Sequence, residues 1–396
     1  MHTVATRPAL WIRDFILVSI SNLLMFFSFY MLVPALPFYL FEDFGTSGST
    51  AGIVLSLYTI AALFIRPFSG YLVDTFSHKP FYLVCYGIFC IIFAGYIVAT
   101  TLMFFIMLRT LHGISFGLST VSSNTLAIDI MPASRRGEGI GYFGMTTNIA
   151  MAIGPAAGLW VYRQYPFDTL FIAAFVVSFM GFLCILPVKS VGKHLTTTEE
   201  KLPLSLDRFI LIKALPCVGL LLIMGIGYGI VTNYIGLYSE GAGFGNNAGI
   251  FFTIVSIGII IARLISSRII NKGKISPMIC VGTVLLATAF ILFVICTNLI
   301  ILYFIALLFG LGIGYMNPAF QTMLVNLAKH NQRGTANATF FTFCDLGIGI
   351  GIAGAGSIIE KLGFTWIYAI CTILLVLGLI YFIFISAPYY NKNKLQ

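Results

Sequence analysis

The chain has 396 residues, of which 59% are apolar and only 9% are charged, with a mean hydropathy of +1.00. Soluble globular domains carry about 25% charged residues, so a water-soluble enzyme is excluded. The net charge of +9 does not mark a nucleic-acid partner, because the basic residues punctuate apolar blocks and so report topology.

Those blocks are about 20 residues long, the length a helix needs to cross about 30 Å of hydrocarbon. In chain order the predicted spans run over 15–41, 49–73, 81–101, 102–127, 138–162, 167–187, 209–238, 247–269, 277–297, 299–327, 335–358 and 364–387. The first is too long for a signal-peptide core and lacks a small-residue cleavage site, so it reads as a span. The eight cysteines all fall inside apolar runs with no CxxC and no nearby His cluster. They read as small core residues, and neither metal nor cofactor is expected.

Twelve spans put both termini on one side of the membrane. On that side lie 17 of the 22 lysines and arginines; the other side has Arg163 and Lys361, and Arg66, Arg109 and Arg263 fall within spans. The excess makes that side cytoplasmic. The longest polar stretch divides the spans six and six, giving an expected N-terminal bundle at 1–188, a cytoplasmic linker at 189–208 and a C-terminal bundle at 209–396.

A single offset of 197 residues relates the halves. It carries Arg66 onto Arg263, Ser69 onto Ser266, Pro80 onto Pro277, Gly113 onto Gly310, Gly117 onto Gly314, Arg136 onto Arg333 and Gly154 onto Gly351. Six spans separate equivalent positions, so the repeat is parallel: two six-helix bundles related by a pseudo-two-fold axis normal to the membrane.

Four segments carry a resemblance. Between spans two and three, Gly70, Leu72, Asp74 and Lys79 match the loop G-x-L-a-D-r-x-G-r-k of the major facilitator superfamily, while Thr75, Ser77 and His78 depart from it. In span four, Arg109-Thr110-Leu111-His112-Gly113 resembles R-x-x-q-G, with His112 in place of glutamine. The run Asp129 to Glu138, with Pro132, Arg135 and Arg136, resembles the acidic, proline and arginine loop before span five. Ala150 to Gly158, holding Gly154, Pro155 and Gly158, is close to the element carried by antiporters of the superfamily, with Ala150 and Leu159 replacing two glycines.

The resemblance implies the superfamily's all-α, twelve-helix fold and a secondary transporter similar to its drug/proton antiporter branch. It makes Gly70, Asp74, Lys79, Asp129 and Arg136 a cytoplasmic latch between the halves. It ties Arg109, with His112 beside it, to proton transfer, though a structural arginine bonded to helix carbonyls fits the sequence too. Pro155 frees a backbone carbonyl and the small residues around it permit close helix contact; as an antiporter element this favours export. Most of that branch carries an acid in span one, where this chain offers only Asn22.

A polar group inside a span is costly and faces a partner or a wet cavity. The offset pairs Asn148 in span five with Asp345 in span eleven, both expected to face each other near the midplane. Asp345 is the only carboxylate at that depth in the sequence, so it is the expected proton-coupling group, or else a buried acid bonded to Arg263 or a helix carbonyl. If the family packing holds, the cavity is lined by Asn22, Tyr30, Met145, Asn148, Tyr228, Asn233, Asn317, Gln321, Phe341 and Asp345. Mostly uncharged, with aromatics and methionine, it suits a moderately apolar solute.

The expected function is proton-coupled efflux of a small solute by a monomer in a bacterial inner membrane, with protons and lipid as its other partners. The alternative is an importer or facilitator of a small nutrient such as a sugar or organic acid. A membrane-embedded enzyme is disfavoured because the spans show no DDxxD, HExxH or GxSxG pattern, and a channel because no filter-like loop interrupts a helix.

Overall fold

The computed structural model describes residues 9–132, 135–189, 210–328 and 333–395, all helix and short connections. In chain order the helices are α1 (Arg13–Leu32), α2 (Leu36–Glu42), α3 (Gly48–Thr75), α4 (His78–Ile97), α5 (Leu102–Ile130), α6 (Arg136–Gln164), α7 (Phe167–Ile185), α8 (Gly219–Gly241), α9 (Ala248–Asn271), α10 (Ile275–Val294), α11 (Leu299–Leu327), α12 (Arg333–Leu362), α13 (Phe364–Tyr381) and α14 (Ala387–Asn393). Residues 190–209, which hold nearly all of the expected linker, lie outside the described residues.

These fourteen helices make twelve rods. Pro34 has no N–H to give and Pro37 sits in the first turn of α2, so the first span breaks between α1 and α2. A π-helical turn over Phe382–Ser386 joins α13 to α14 without a break. Three rods open on a side-chain cap: Ser47, Thr101 and Asn298 accept the backbone N–H of Thr50, Phe104 and Ile301 at 3.2, 3.3 and 3.0 Å. The seventh span starts at Gly219, ten residues later than its hydropathy implies, because Pro216 sits in a 3-10 turn over Ile212–Cys217. Eleven rods are long and apolar enough to cross a membrane. The remaining one, α6, is 29 residues long but diluted by Thr146, Thr147, Asn148 and glycines.

The same pairings recur in each half. In the first, α1 packs on α6 and α7, α3 on α5, and α4 on α5 and α7; in the second, α8 packs on α12 and α13, α9 on α11, and α10 on α11 and α13. Glycine contacts repeat residue by residue. A Cβ on Gly113 would overlap the carbonyl of Tyr58, and one on Gly310 would overlap that of Val255, both contacts shifted by 197. Gly117 abuts Ile65 and Ala62, while Gly314 abuts Ala262 and Ile259. Ser69 donates to the Arg66 carbonyl at 2.6 Å and Ser266 to that of Arg263 at 3.1 Å. With apolar tails on all sides, helices gain most from such close packing of small residues.

The halves meet along two seams, α3 against α12 and α6 against α9. Each bundle therefore lays its fifth rod against the second rod of the other. Hereafter the face carrying both chain ends is the terminal face, and its opposite the far face.

Candidate functional site

On α3, Gly52, Thr59 and Arg66 recur every seven residues, which keeps them on one helix face with a drift of about 20° per step. Opposite them on α12 stand Ala353, Gly349 and Asp345. A Cβ on Gly52 would lie 2.9 Å from the Ala353 carbonyl, and one on Gly349 4.0 Å from the Thr59 Cβ. The third pair is ionic: Arg66 Nε lies 2.6 Å from Asp345 Oδ2, with side chains only 14% and 15% exposed. The Nε–H is not aligned on that oxygen as in a full hydrogen bond. The guanidinium also covers the Phe341 ring at 5.1 Å. Asp345 is twelve residues into α12, about 18 Å along the axis at 1.5 Å per residue.

Around the pair the interface is aromatic and sulfur-lined. Tyr30 of α1 faces Tyr228 of α8 and lies near Asp345. The Tyr228 hydroxyl donates to Met151 Sδ at 2.9 Å, linking α8 to α6. Phe29 stacks on both Tyr58 and Phe116 with centroids 4.9 Å apart.

The other residues expected to line a cavity have their own surroundings. Asn22 donates to Thr146 and Thr147 at 2.8 and 3.2 Å and accepts from Ser123 at 3.3 Å, a network inside the first bundle. Asn233 turns back on its own helix, donating to the Gly229 carbonyl at 3.0 Å. Gln321 donates to Asn337 at 2.6 Å, within the second bundle, and the buried Oδ1 of Asn317 has no partner. Met145 is open and Asn148 half-buried, both on α6. Asp345 meets Arg66 on the opposite half's second rod, while α6, which carries Asn148, packs on α9.

Arg109 and His112 lie inside the first bundle, 3% and 1% exposed. The Arg109 guanidinium sits over the Tyr58 ring at 4.5 Å, and His112 Nδ1 shares a hydrogen bond of 2.9 Å with the Tyr96 hydroxyl. Tyr58 lies in the field of both Arg109 and Arg66, but Asp345 itself pairs with Arg66. The sequence showed Arg66 as an in-span charge without giving it a role. Its signal was there, as the arginine repeated at the 197 offset.

Of the latch residues, Lys79 donates to the Leu186 carbonyl at 2.8 Å and Asp129 pairs with His78, both within the first half. Gly70 and the side chains of Asp74 and Arg136 are outside the described set. The antiporter element has a plain packing role. A Cβ on Gly158 would overlap the Met31 carbonyl, one on Gly154 would come within 2.8 Å of the Tyr30 Cβ, and Pro155 lies inside the helix between them. Half a turn round from both glycines, Ala156 Cα would be 3.1 Å from a Cβ on Gly249 of α9. The element thus lets α6 press on α1 and α9 at once.

At the far face the halves are joined. Ser49 donates through its N–H and hydroxyl to Glu360 at 3.0 and 3.3 Å and bonds Ser357 at 2.8 Å. Arg163 donates to the Gly245 carbonyl at 3.1 Å, and a Cβ on Gly356 would overlap the Gly48 carbonyl. Side-chain bonds and an ion pair thus join the seams, with glycines where the backbones touch.

Comparison with known proteins agrees with this architecture. The staphylopine export protein of Staphylococcus aureus is 28% identical over 86% of this chain and 88% of its own length. The quinolone resistance protein NorA of the same species is 25% identical over 85% and 87%. The crystal structure of the nucleoside transporter NupG superposes with a TM-score of 0.76 over 94% of this chain and 98% of its own, at 18% identity, which speaks for the fold alone. The Major Facilitator Superfamily itself matches over residues 18–352 and again over 278–395. With two repeated six-helix bundles, two glycine-lined seams and a match running almost end to end, the chain belongs to the major facilitator superfamily of membrane transporters.

Proposed function

We propose that the chain exports a small, mostly apolar solute in exchange for protons, the bundles 1–188 and 209–396 rocking to expose a central site alternately to the two sides. The observation that carries this reading is the ion pair between Arg66 and Asp345, which joins the halves at mid-depth. Protonating Asp345 removes the charge that holds Arg66, so proton uptake and separation of that seam are one event. A ligand or proton shifts a two-state equilibrium only by its differential affinity for the two states, and a carboxylate paired in one state and free in the other has that difference built in. Arg109 and His112 support the transfer from the first bundle through Tyr58, which neighbours both arginines.

Outward direction is favoured by the Gly154-Pro155-Gly158 element and by two relatives whose names describe export and drug resistance. The excess of lysine and arginine on the terminal face supports a cytoplasmic orientation, and the bacterial relatives support an inner membrane. The aromatic and methionine lining around Tyr30, Tyr228 and Met151 suits a largely apolar solute held by a single monomer.

The test is transport in proteoliposomes with an imposed pH gradient, screened over lipophilic cations, sugars and organic acids. Asp345→Asn is expected to keep solute counterflow and lose accumulation against a gradient. Full pH-driven transport by that variant would place coupling elsewhere or make the carrier a facilitator.

A further inference from the structure

The two seams are built alike until their third step. The contact of Gly52 with Ala353 recurs at an offset of 197 as that of Gly249 with Ala156. One step towards the terminal face, Thr59 with Gly349 corresponds to Ser256 with Ala152. The next step sets Arg66 on Asp345 in one seam; in the other the same offset assigns the step to Arg263 of α9 and Asn148 of α6.

The guanidinium is kept and its carboxylate is replaced by an amide. Gly249, Ser256 and Arg263 recur every seven residues, so Arg263 lies on the face of α9 that carries the contact with α6. Its side chain is exposed, and among the described residues it makes no hydrogen bond, ion pair or ring contact; the Asn148 amide has no partner either. Arg263 stands eight residues before the end of α9 at Asn271, about 12 Å along the axis. An unpaired guanidinium at such depth is costly and calls for water or an anion.

We infer that Arg263 and Asn148 receive an anionic oxygen group, a carboxylate or one of like geometry, carried by the transported solute. This rests on the transporter reading above and narrows its substrate to small, mostly apolar acids. A guanidinium presents paired N–H donors that match a carboxylate edge to edge, and the Asn148 amide adds a donor that carries no competing charge. An internal acid at 148 would compete for the guanidinium, as Asp345 occupies Arg66.

The test uses the full chain in nanodiscs of phosphatidylcholine at fixed pH with no gradient, so it is independent of proton coupling. The probes are 4-phenylbutyrate and its uncharged isostere 4-phenylbutyramide, read by binding calorimetry and by shift in melting temperature. Wild type is expected to bind the acid at least tenfold more tightly than the amide. Arg263→Gln should abolish that ratio and Arg263→Lys restore part of it. Asn148→Asp, which copies the other seam, should fold normally and lose acid binding through an internal ion pair.

Equal binding of acid and amide by wild type, or an unchanged ratio in Arg263→Gln, overturns the inference. Repeating the series with phosphatidylglycerol present separates the other source of an anion: if Arg263→Gln changes only retention of that lipid, the partner is a headgroup and the inference fails. A coupling test in which Asp345→Asn transports normally would sink the antiport reading and leave this one standing.

Discussion

The two bundles share a backbone plan and differ in what they bury. Where the first places Tyr96, Arg109 and His112 in its interior, the same positions of the second hold Phe293, Ala306 and Phe309. The glycine contacts that set helix separation are duplicated between them, while these three polar groups are not. Geometry is thus the conserved half of the repeat and chemistry the free half. The seams repeat the lesson between the bundles: α3 and α12 carry an ion pair, whereas Arg263 of α9 has no side-chain partner among the described residues.

The largest expected effect contrasts the seams directly. Arg66→Gln leaves Asp345 a largely covered acid without its partner and should destabilise by about 3 kcal/mol, the scale for breaking a buried pair. Adding Asp345→Asn should recover much of that, whereas Arg263→Gln should cost about 0.5 kcal/mol or less, as for surface changes. Thermal unfolding of the four proteins in one detergent reads all three numbers. A loss from Arg263→Gln as large as that from Arg66→Gln would break the contrast.

Glycine substitutions sharpen it further by separating contacts within a bundle from contacts between bundles. Gly158→Ala forces α6 off Met31 inside the first bundle and should cost about 2 kcal/mol of stability, typical of overpacking. Gly356→Ala collides with Gly48 across the far-face closure, so it should open that face and leave the fold intact. A bias of about 1.4 kcal/mol changes the ratio of states tenfold. Spin-label distances across the far face should show this shift for Gly356→Ala, with melting nearly unchanged.

A smaller effect tests the unequal cores. Tyr96→Phe copies the residue that the second bundle already uses, yet it strands His112 Nδ1 at a cost of about 1 kcal/mol. The reverse change, Phe293→Tyr, should also destabilise, because that site offers stacked rings at 4.4 Å from Tyr368. If either exchange proved neutral, the cores would be less specialised than their side chains imply.

The smallest effect lies at the far face. Burial, then the neighbouring Glu42 and Asp168, raises the Asp43 carboxyl above its ordinary range. An acid whose folded-state pKa is raised contributes stability at low pH that is lost as pH rises through the carboxylate range. Asp43→Asn should therefore stabilise slightly at neutral pH and have no effect in acid, as melting curves at the two pH values would show.

Sequence alone determined the number of spans, most of their ends, the parallel repeat and the family, because hydrocarbon thickness fixes helix length and a constant offset survives in the residues that touch backbone. It also picked out Asp345, Arg109 and His112 as charges at depth that need partners. Tertiary structure alone decided who those partners are. Asp345 meets Arg66 because each bundle turns its fifth rod to the other's second, a choice made by packing between helices nearly three hundred residues apart in sequence. Asn22 and Asn233, expected at the cavity, bond hydroxyl and carbonyl partners in their own bundles, which the sequence did not show. Hydropathy records that a polar side chain lies within a span; it holds no information on what stands opposite, and packing alone supplies that.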